Sequence, residues 1–235
     1  MDRQNVAVTL PWMWQGTDLV AAVVADLSDA QTAGRSALPG WSRGHVLAHL
    51  ARNAEAIGRL VHWASTGEVT PMYPDLAGRA ADIEASAHQS ADALRADFAD
   101  TARALDAGFG SLDEQAWQAM VRSALGRELP AAELPWMRIR EVWLHAIDLA
   151  AGAGFDVIPA DLVEVLLDDS TAVVGGKLDC PPVLLRPSDR DRTWTLGTGE
   201  TATTVTGPAA ELLAWTIGRP HRLAGTDLPA LPAWL

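Results

Sequence analysis

Residues 135–151 read Pro135-Trp-Met-Arg-Ile-Arg-Glu141-Val-Trp-Leu-His145-Ala-Ile-Asp148-Leu-Ala-Ala151, followed by Gly152 and Gly154. A proline tolerated in a first turn, a run of helix formers and two closing glycines predict a helix across this span. Glu141 and His145 stand four apart, so a carboxylate and an imidazole share one face about one turn from each other. Taken alone, such a pair is ordinarily a solvated contact between helix neighbours. Here Val142, Leu144, Ile147 and Leu149 make the helix apolar on several sides, which leaves the two polar groups hard to keep wet. An unpartnered buried carboxylate costs several kcal/mol, and a metal ion would supply the partner. Asp148, three residues after His145, is placed to accept a hydrogen bond from a ligand imidazole or a pocket water. As a mere surface residue near a helix C-terminus it would oppose the helix dipole.

Upstream, Pro39-Gly40 breaks the chain and Ser42 is a suitable N-cap for a helix carrying Val46, Leu47, Leu50, Ile57 and Leu60, ending near Gly67. His45 and His49 are again four apart, and Asn53 continues their face. One of the two histidines can complete a His, His, Glu set with a fourth position open, the pattern of catalytic rather than structural zinc. Position favours His49, a turn deeper than His45, which is expected to flank the pocket. The same nitrogen and oxygen donors suit nickel, iron or cobalt. His62, His88 and His221 have no evident partner at ligand spacing and read as structural or solvated.

Further helices are expected from about Trp14 to Ser28, on the stripe Val20, Val23, Val24 and Leu27, and from Ser90 to Phe109, with a start as early as Arg79. Met120 to Pro130, around Gly126, reads as a hairpin or an irregular loop. Four helices suffice to enclose a bundle core with a metal site between facing helices. After Gly154 the pattern changes. A helix from Pro159 to about Val174 precedes short strands at 183–185, 193–196 and 201–206, a last helix from Pro208 to near Gly218, and a proline-rich tail. The expected fold class is α+β, with a helical bundle over 1–155 and a small α/β domain over 156–235.

Composition narrows the function. Cys180 is the only cysteine among 235 residues, which excludes a cysteine-rich zinc site and a disulfide framework. Thirty acidic against eighteen basic residues give a net charge of −12, which repels phosphate backbones and anionic lipid. Lys177 is the only lysine. An apolar run of about 18 residues is missing, and the short apolar stretch near the start is interrupted by Pro11 and has no basic leader. A cytoplasmic, soluble monomer acting on a small organic acid is expected, with neither nucleic acid nor membrane as partner.

Longer motifs add to this reading: Gly40-Trp41-Ser42-Arg43; His45-Val-Leu-Ala-His49-Leu-Ala-Arg-Asn53; His62-Trp63 through Gly67 to Pro71-Met72-Tyr73; the 136–149 stretch; Ala214-Trp215-Thr-Ile-Gly218-Arg219; and the closing Trp234-Leu235. Together, over nearly the whole chain, these resemble the mycothiol-dependent maleylpyruvate isomerases, a branch of the DinB-like metalloproteins. The resemblance implies a DinB-like four-helix bundle followed by a small α/β domain, and zinc held by His49, Glu141 and His145, which settles the choice against His45. It implies mycothiol, an actinobacterial thiol, as cosubstrate. It also implies cis-to-trans isomerisation of maleylpyruvate to fumarylpyruvate in gentisate breakdown.

Arg219 matches the family's functional arginine on the C-terminal domain, facing the metal cleft. On its own it reads as a cation at a helix C-terminus. Arg219 and Asp148 are thus the expected catalytic residues, and Arg219, His45 and Asn53 the expected contacts of the cofactor. Pro220-His221 and the C-terminal strands depart from the pattern, which bears on the substrate. A thiol S-transferase, an isomerase of another cis-enoyl acid and a metal-free binding module are the competing readings.

Overall fold

The computed structural model describes residues 3–200, 203–224 and 228–234. The fold is α+β, and the chain separates into two units, 1–153 and 154–235. The first unit contains α1 (Val6–Val24), α2 (Asp29–Thr32), α3 (Arg43–Thr66), α4 (Leu76–Ala87), α5 (Ala91–Gly110), α6 (Glu114–Gln118), the strands β1 (Met120–Arg122) and β2 (Glu128–Pro130), and α7 (Leu134–Asp148). The long helices α1, α3, α5 and α7 form the bundle: α3 packs on α5 and α7, and α1 on α7.

Local chemistry sets most boundaries. Ser42 caps α3, its side chain accepting from the His45 amide while the His45 ring accepts from the Ser42 amide, and Gly67 at φ 76° ends the helix. α5 starts on the side chain of Ser90, which accepts from Ala93 N–H. The expected early start near Arg79 is instead a separate helix, α4, begun by the Asp75 side chain. The segment around Gly126 is a hairpin, with Val121 opposite Leu129.

Three further boundaries differ from the sequence expectation. α1 begins at Val6 and runs through Pro11, although an interior proline costs about 3 kcal/mol. Burial of Trp12, Met13, Val20 and Val24 against the bundle outweighs that loss. Ser28 does not close α1; it caps α2 through a reciprocal pair with Gln31. α7 stops at Asp148, three residues short of the expected end, where Ala150 turns to φ 50°. Its last carbonyls are taken by Arg43, whose Nε donates to Leu149 O at 2.7 Å and Nη2 to Ala150 O at 2.9 Å. This bond joins the start of α3 to the end of α7.

The second unit holds α8 (Ala160–Gly175), β3 (Val183–Pro187), β4 (Trp194–Leu196), β5 (Thr203–Gly207) and α9 (Ala209–Thr216). Its sheet has the order β4-β3-β5, with β3 antiparallel to β4 and parallel to β5. Residues 201–202 of the expected last strand, and the closing Leu235, lie outside the described residues. Trp194 Nε1 donates to Asp168 Oδ1 at 2.7 Å and ties β4 to α8. Among the described residues no helix is long and apolar enough to cross a membrane.

Gly16 allows α1 to approach α7: a Cβ there would lie 2.5 Å from Val142 Cγ2 and 2.8 Å from the Trp143 ring, whose Nε1 donates to Trp12 O. Gly16→Ala is expected to destabilise the protein by about 1–3 kcal/mol, the usual range for overpacking. Urea unfolding at constant m-value measures it.

Candidate metal centre

α3 and α7 present their polar residues to each other. His49 Nε2 lies 2.8 Å from Glu141 Oε2 and 3.1 Å from His145 Nε2, and His145 Nε2 lies 3.3 Å from the same Glu141 oxygen. Three donor atoms therefore converge on one point. Two donors at tetrahedral angles on bonds of about 2.0–2.1 Å stand roughly 3.3 Å apart, so the triangle is close to the size an ion such as zinc takes. His49 is buried, while Glu141 and His145 keep partial exposure.

The surroundings decide which ring nitrogen is available. His145 Nδ1 meets Asp148 Oδ2 at 2.9 Å. A buried carboxylate can only accept, so the ring proton sits on Nδ1 and Nε2 is directed at the centre, the carboxylate–histidine arrangement found behind metal ligands. His49 is oriented otherwise. Its Nδ1 lies 3.0 Å from Arg79 Nη2, and a guanidinium is a donor only, so this contact places the His49 proton on Nε2, against Glu141. Coordination through His49 Nε2 needs the opposite tautomer and competes with Arg79. With that one exchange, the donor set fits a divalent ion.

Electrostatics follow the same geometry. Burial alone would lower His145, but its bonds to Asp148 and Glu141 outweigh that and raise it to about 9. Burial likewise opposes ionisation of Glu141, yet the two histidines hold its carboxyl well below the usual range. His49 is lowered, mainly by burial and against the pull of Glu141. Arg138, buried on α7, is lowered to about 10 by desolvation, with Glu141 and Tyr73 opposing. Its Nη1 donates to Leu50 O at 2.7 Å and to Asn53 Oδ1 at 2.8 Å.

The sequence candidates are thus distributed as follows. His49, Glu141, His145 and Asp148 come together. Asn53 continues the His49 face and is joined to Arg138. His45 points away from this centre: its Nδ1 serves the helix cap and its Nε2 meets Glu84 Oε2 at 3.1 Å. Arg219 follows α9, where Gly218 at φ 72° lets Arg219 N–H reach Ala214 O at 2.8 Å and Gly218 N–H reach Trp215 O at 3.0 Å, a Schellman ending.

Sequence reasoning missed Arg79, whose guanidinium also lies over the Tyr73 ring at 5.6 Å, and Trp41, whose ring packs edgewise at 5.6 Å on His49. Neither shares a helix with His49: Arg79 lies on α4 and Trp41 precedes α3. It also passed over His88, which has a partner at ligand spacing after all: Glu84, four residues earlier, 2.9 Å from its Nε2.

The model of the mycothiol maleylpyruvate isomerase N-terminal domain matches residues 13–150. The chain belongs to this family. Two solved structures, of the mycothiol-dependent maleylpyruvate isomerase and of a histidine-to-alanine variant of it, are each 31% identical to the chain with a TM-score of 0.89, and 97% of both chains is covered. No curated protein matches.

For this family member the geometry sets three measurable expectations. Asp148→Asn should weaken zinc binding about 10–100-fold, the usual effect of losing such an orienting carboxylate, as read by chelator competition. Arg79→Met, by removing the competing donor, should tighten it on the order of tenfold. The third concerns pH. A His145 pKa raised from 6.5 to about 9 stabilises the metal-free protein fully below pH 6.5 and ceases to do so as pH rises through about 9. The same proton must leave for metal to bind, so zinc affinity should climb over this interval. Calorimetry of the metal-free protein and zinc titration at pH 6 and 8 test the two signs.

Proposed function

We propose that the protein is a mycothiol-dependent cis–trans isomerase of maleylpyruvate, yielding fumarylpyruvate, with zinc held by His49, Glu141 and His145. The observation that carries this reading is the convergence of those three side chains, His145 oriented by Asp148, in a chain 31% identical over 97% of its length to a mycothiol-dependent maleylpyruvate isomerase. When bound there, the ion supplies a Lewis acid that lowers the pKa of a ligating thiol toward neutrality.

The chain's own residues hold the site in readiness. Asp148 retains the Nδ1 proton of His145 and leaves its Nε2 free to coordinate. Glu141 would contribute one negative charge and the two imidazoles none, so a divalent ion held by them would keep one positive charge, which favours a thiol binding as thiolate. The thiolate adds to the alkene carbon conjugated with the ketone, and the former double bond becomes a single bond about which the skeleton rotates. Elimination restores the alkene as trans and returns the thiol.

Negative charge gathers on the enolate oxygen during addition, and a fixed cation there favours the transition state over the ground state. We assign that role to Arg219 of the C-terminal domain, whose planar fork can equally clamp a substrate carboxylate. Asn53, on the His49 face of α3, is the further contact of the thiol in this reading, whereas His45, turned to Glu84, is not. The chain acts as a cytoplasmic monomer on small molecules, without nucleic acid or membrane, in gentisate breakdown.

Incubation of zinc-loaded protein with mycothiol and maleylpyruvate should give fumarylpyruvate with the thiol undiminished; stoichiometric consumption of thiol would instead make the protein an S-transferase. Arg219→Ala should lower turnover at least a hundredfold, within the range for loss of one oxyanion donor, while zinc content is unchanged. Full turnover in that variant would remove Arg219 from the reaction.

A further inference from the structure

α3 carries two histidines one turn apart, and each meets a glutamate and a histidine spaced four apart on, or just past the end of, a different neighbouring helix. His49 meets Glu141 and His145 of α7. His45 meets Glu84 of α4 and His88, the residue that follows that helix: His45 Nε2 lies 3.1 Å from Glu84 Oε2, and His88 Nε2 lies 2.9 Å from Glu84 Oε1. One ligand atom from each of the three lies within 4.8 Å of the other two.

The close approach is built into the backbone. At Gly44, beside His45, a Cβ would come 2.3 Å from the carbonyl oxygen of Ala87, beside His88. Only glycine lets the end of α4 lie so near the start of α3. The His45 ring is held by Ser42, whose Oγ is 2.7 Å and whose amide nitrogen is 3.2 Å from Nδ1. The Ser42 amide can only donate, so this contact leaves the His45 proton on Nε2, against Glu84; the Ser42 hydroxyl can donate or accept, so it can take a proton moved to Nδ1 when Nε2 coordinates. His49 in the first centre needs the same exchange of tautomer, against Arg79.

We propose that His45, Glu84 and His88 form a second, weaker site for a divalent transition metal, with zinc, nickel and copper as the fitting ions. Two imidazoles and one carboxylate select such ions over magnesium or calcium, which prefer oxygen. The site is weaker than the first because Glu84 and His88 are exposed, with side chains 65% and 69% accessible, and must be ordered by the ion they bind. The two histidines of α3 are about 6 Å apart along the helix axis, beyond the roughly 3.5–4 Å of a bridged metal pair, so the sites fill independently. His45 and His88 also line a cavity of about 1000 Å³ together with Trp41 and Arg35, a cavity that none of His49, Glu141 and His145 lines. An ion on that wall offers its open positions to an anionic or thiol ligand.

Zinc titration of the metal-free protein, followed by calorimetry and by the imidazole proton resonances, tests the proposal. Two equivalents are expected, the second with micromolar affinity and with the His88 resonances shifting only in its phase. His88→Ala and Glu84→Gln, both exposed and tolerable to the fold, should weaken the second equivalent at least tenfold and leave the first intact. His49→Ala should do the reverse, so a failure of the first centre is read separately. A single equivalent in the unaltered protein, or a second one that persists unchanged in both His88→Ala and Glu84→Gln, overturns the site.

Discussion

Charged groups taken out of water on α3 and α7 have to find one another, and much of the N-terminal unit is arranged around that requirement. Arg138 is 1% exposed and donates to Leu50 O and Asn53 on α3; Glu141, one turn on, accepts from His49. Removing one partner from such a set typically costs about 3–5 kcal/mol, because the other is left buried and uncompensated. Slipping α3 along α7 would break every pair at once. The polar contacts therefore specify register where apolar packing alone would tolerate several.

Other features hold the same two helices from outside. Arg43 spans from the first turn of α3 to the last carbonyls of α7, and Ala37 N–H donates to Asp148 O at 2.8 Å. α1 covers the opposite side of α7 through Gly16 and Trp143. Asp148 is thus held at both ends, its carbonyl by the chain before α3 and its carboxylate by His145. Rigid support of this kind keeps donors near a usable geometry before a ligand arrives.

Guanidinium groups stand close to the candidate centre in a chain that is acidic as a whole. Against a net charge of −12, Arg79 and Arg59 interact with Tyr73, and Arg138 interacts with Glu141 and Tyr73. Burial raises the Tyr73 hydroxyl while the arginine contacts oppose that shift. Arg79 beside the candidate metal centre offsets locally the negative charge that the rest of the chain carries.

The Glu141 and His145 pairing, the capped helix carrying His49 and the change from helices to short strands after Gly154 were all legible in the sequence. Each depends on spacing or capping within a few residues, which backbone geometry alone converts into a shared face. The start of α1 at Val6 was not legible for the same reason: the local cost of Pro11 is real, but the burial that outweighs it comes from α7, far along the chain. Arg79 beside His49, Arg138 beside Asn53 and the meeting of His45 with Glu84 and His88 join residues dozens of positions apart. Only the packing of α4 and α7 on α3 decides which polar groups come within bonding distance. The choice of His49 over His45 belongs partly to each. Spacing offered both, and the structure turns one ring toward Glu141 and His145 and the other toward Glu84 and His88, because α7 and α4 lie on different sides of the same helix.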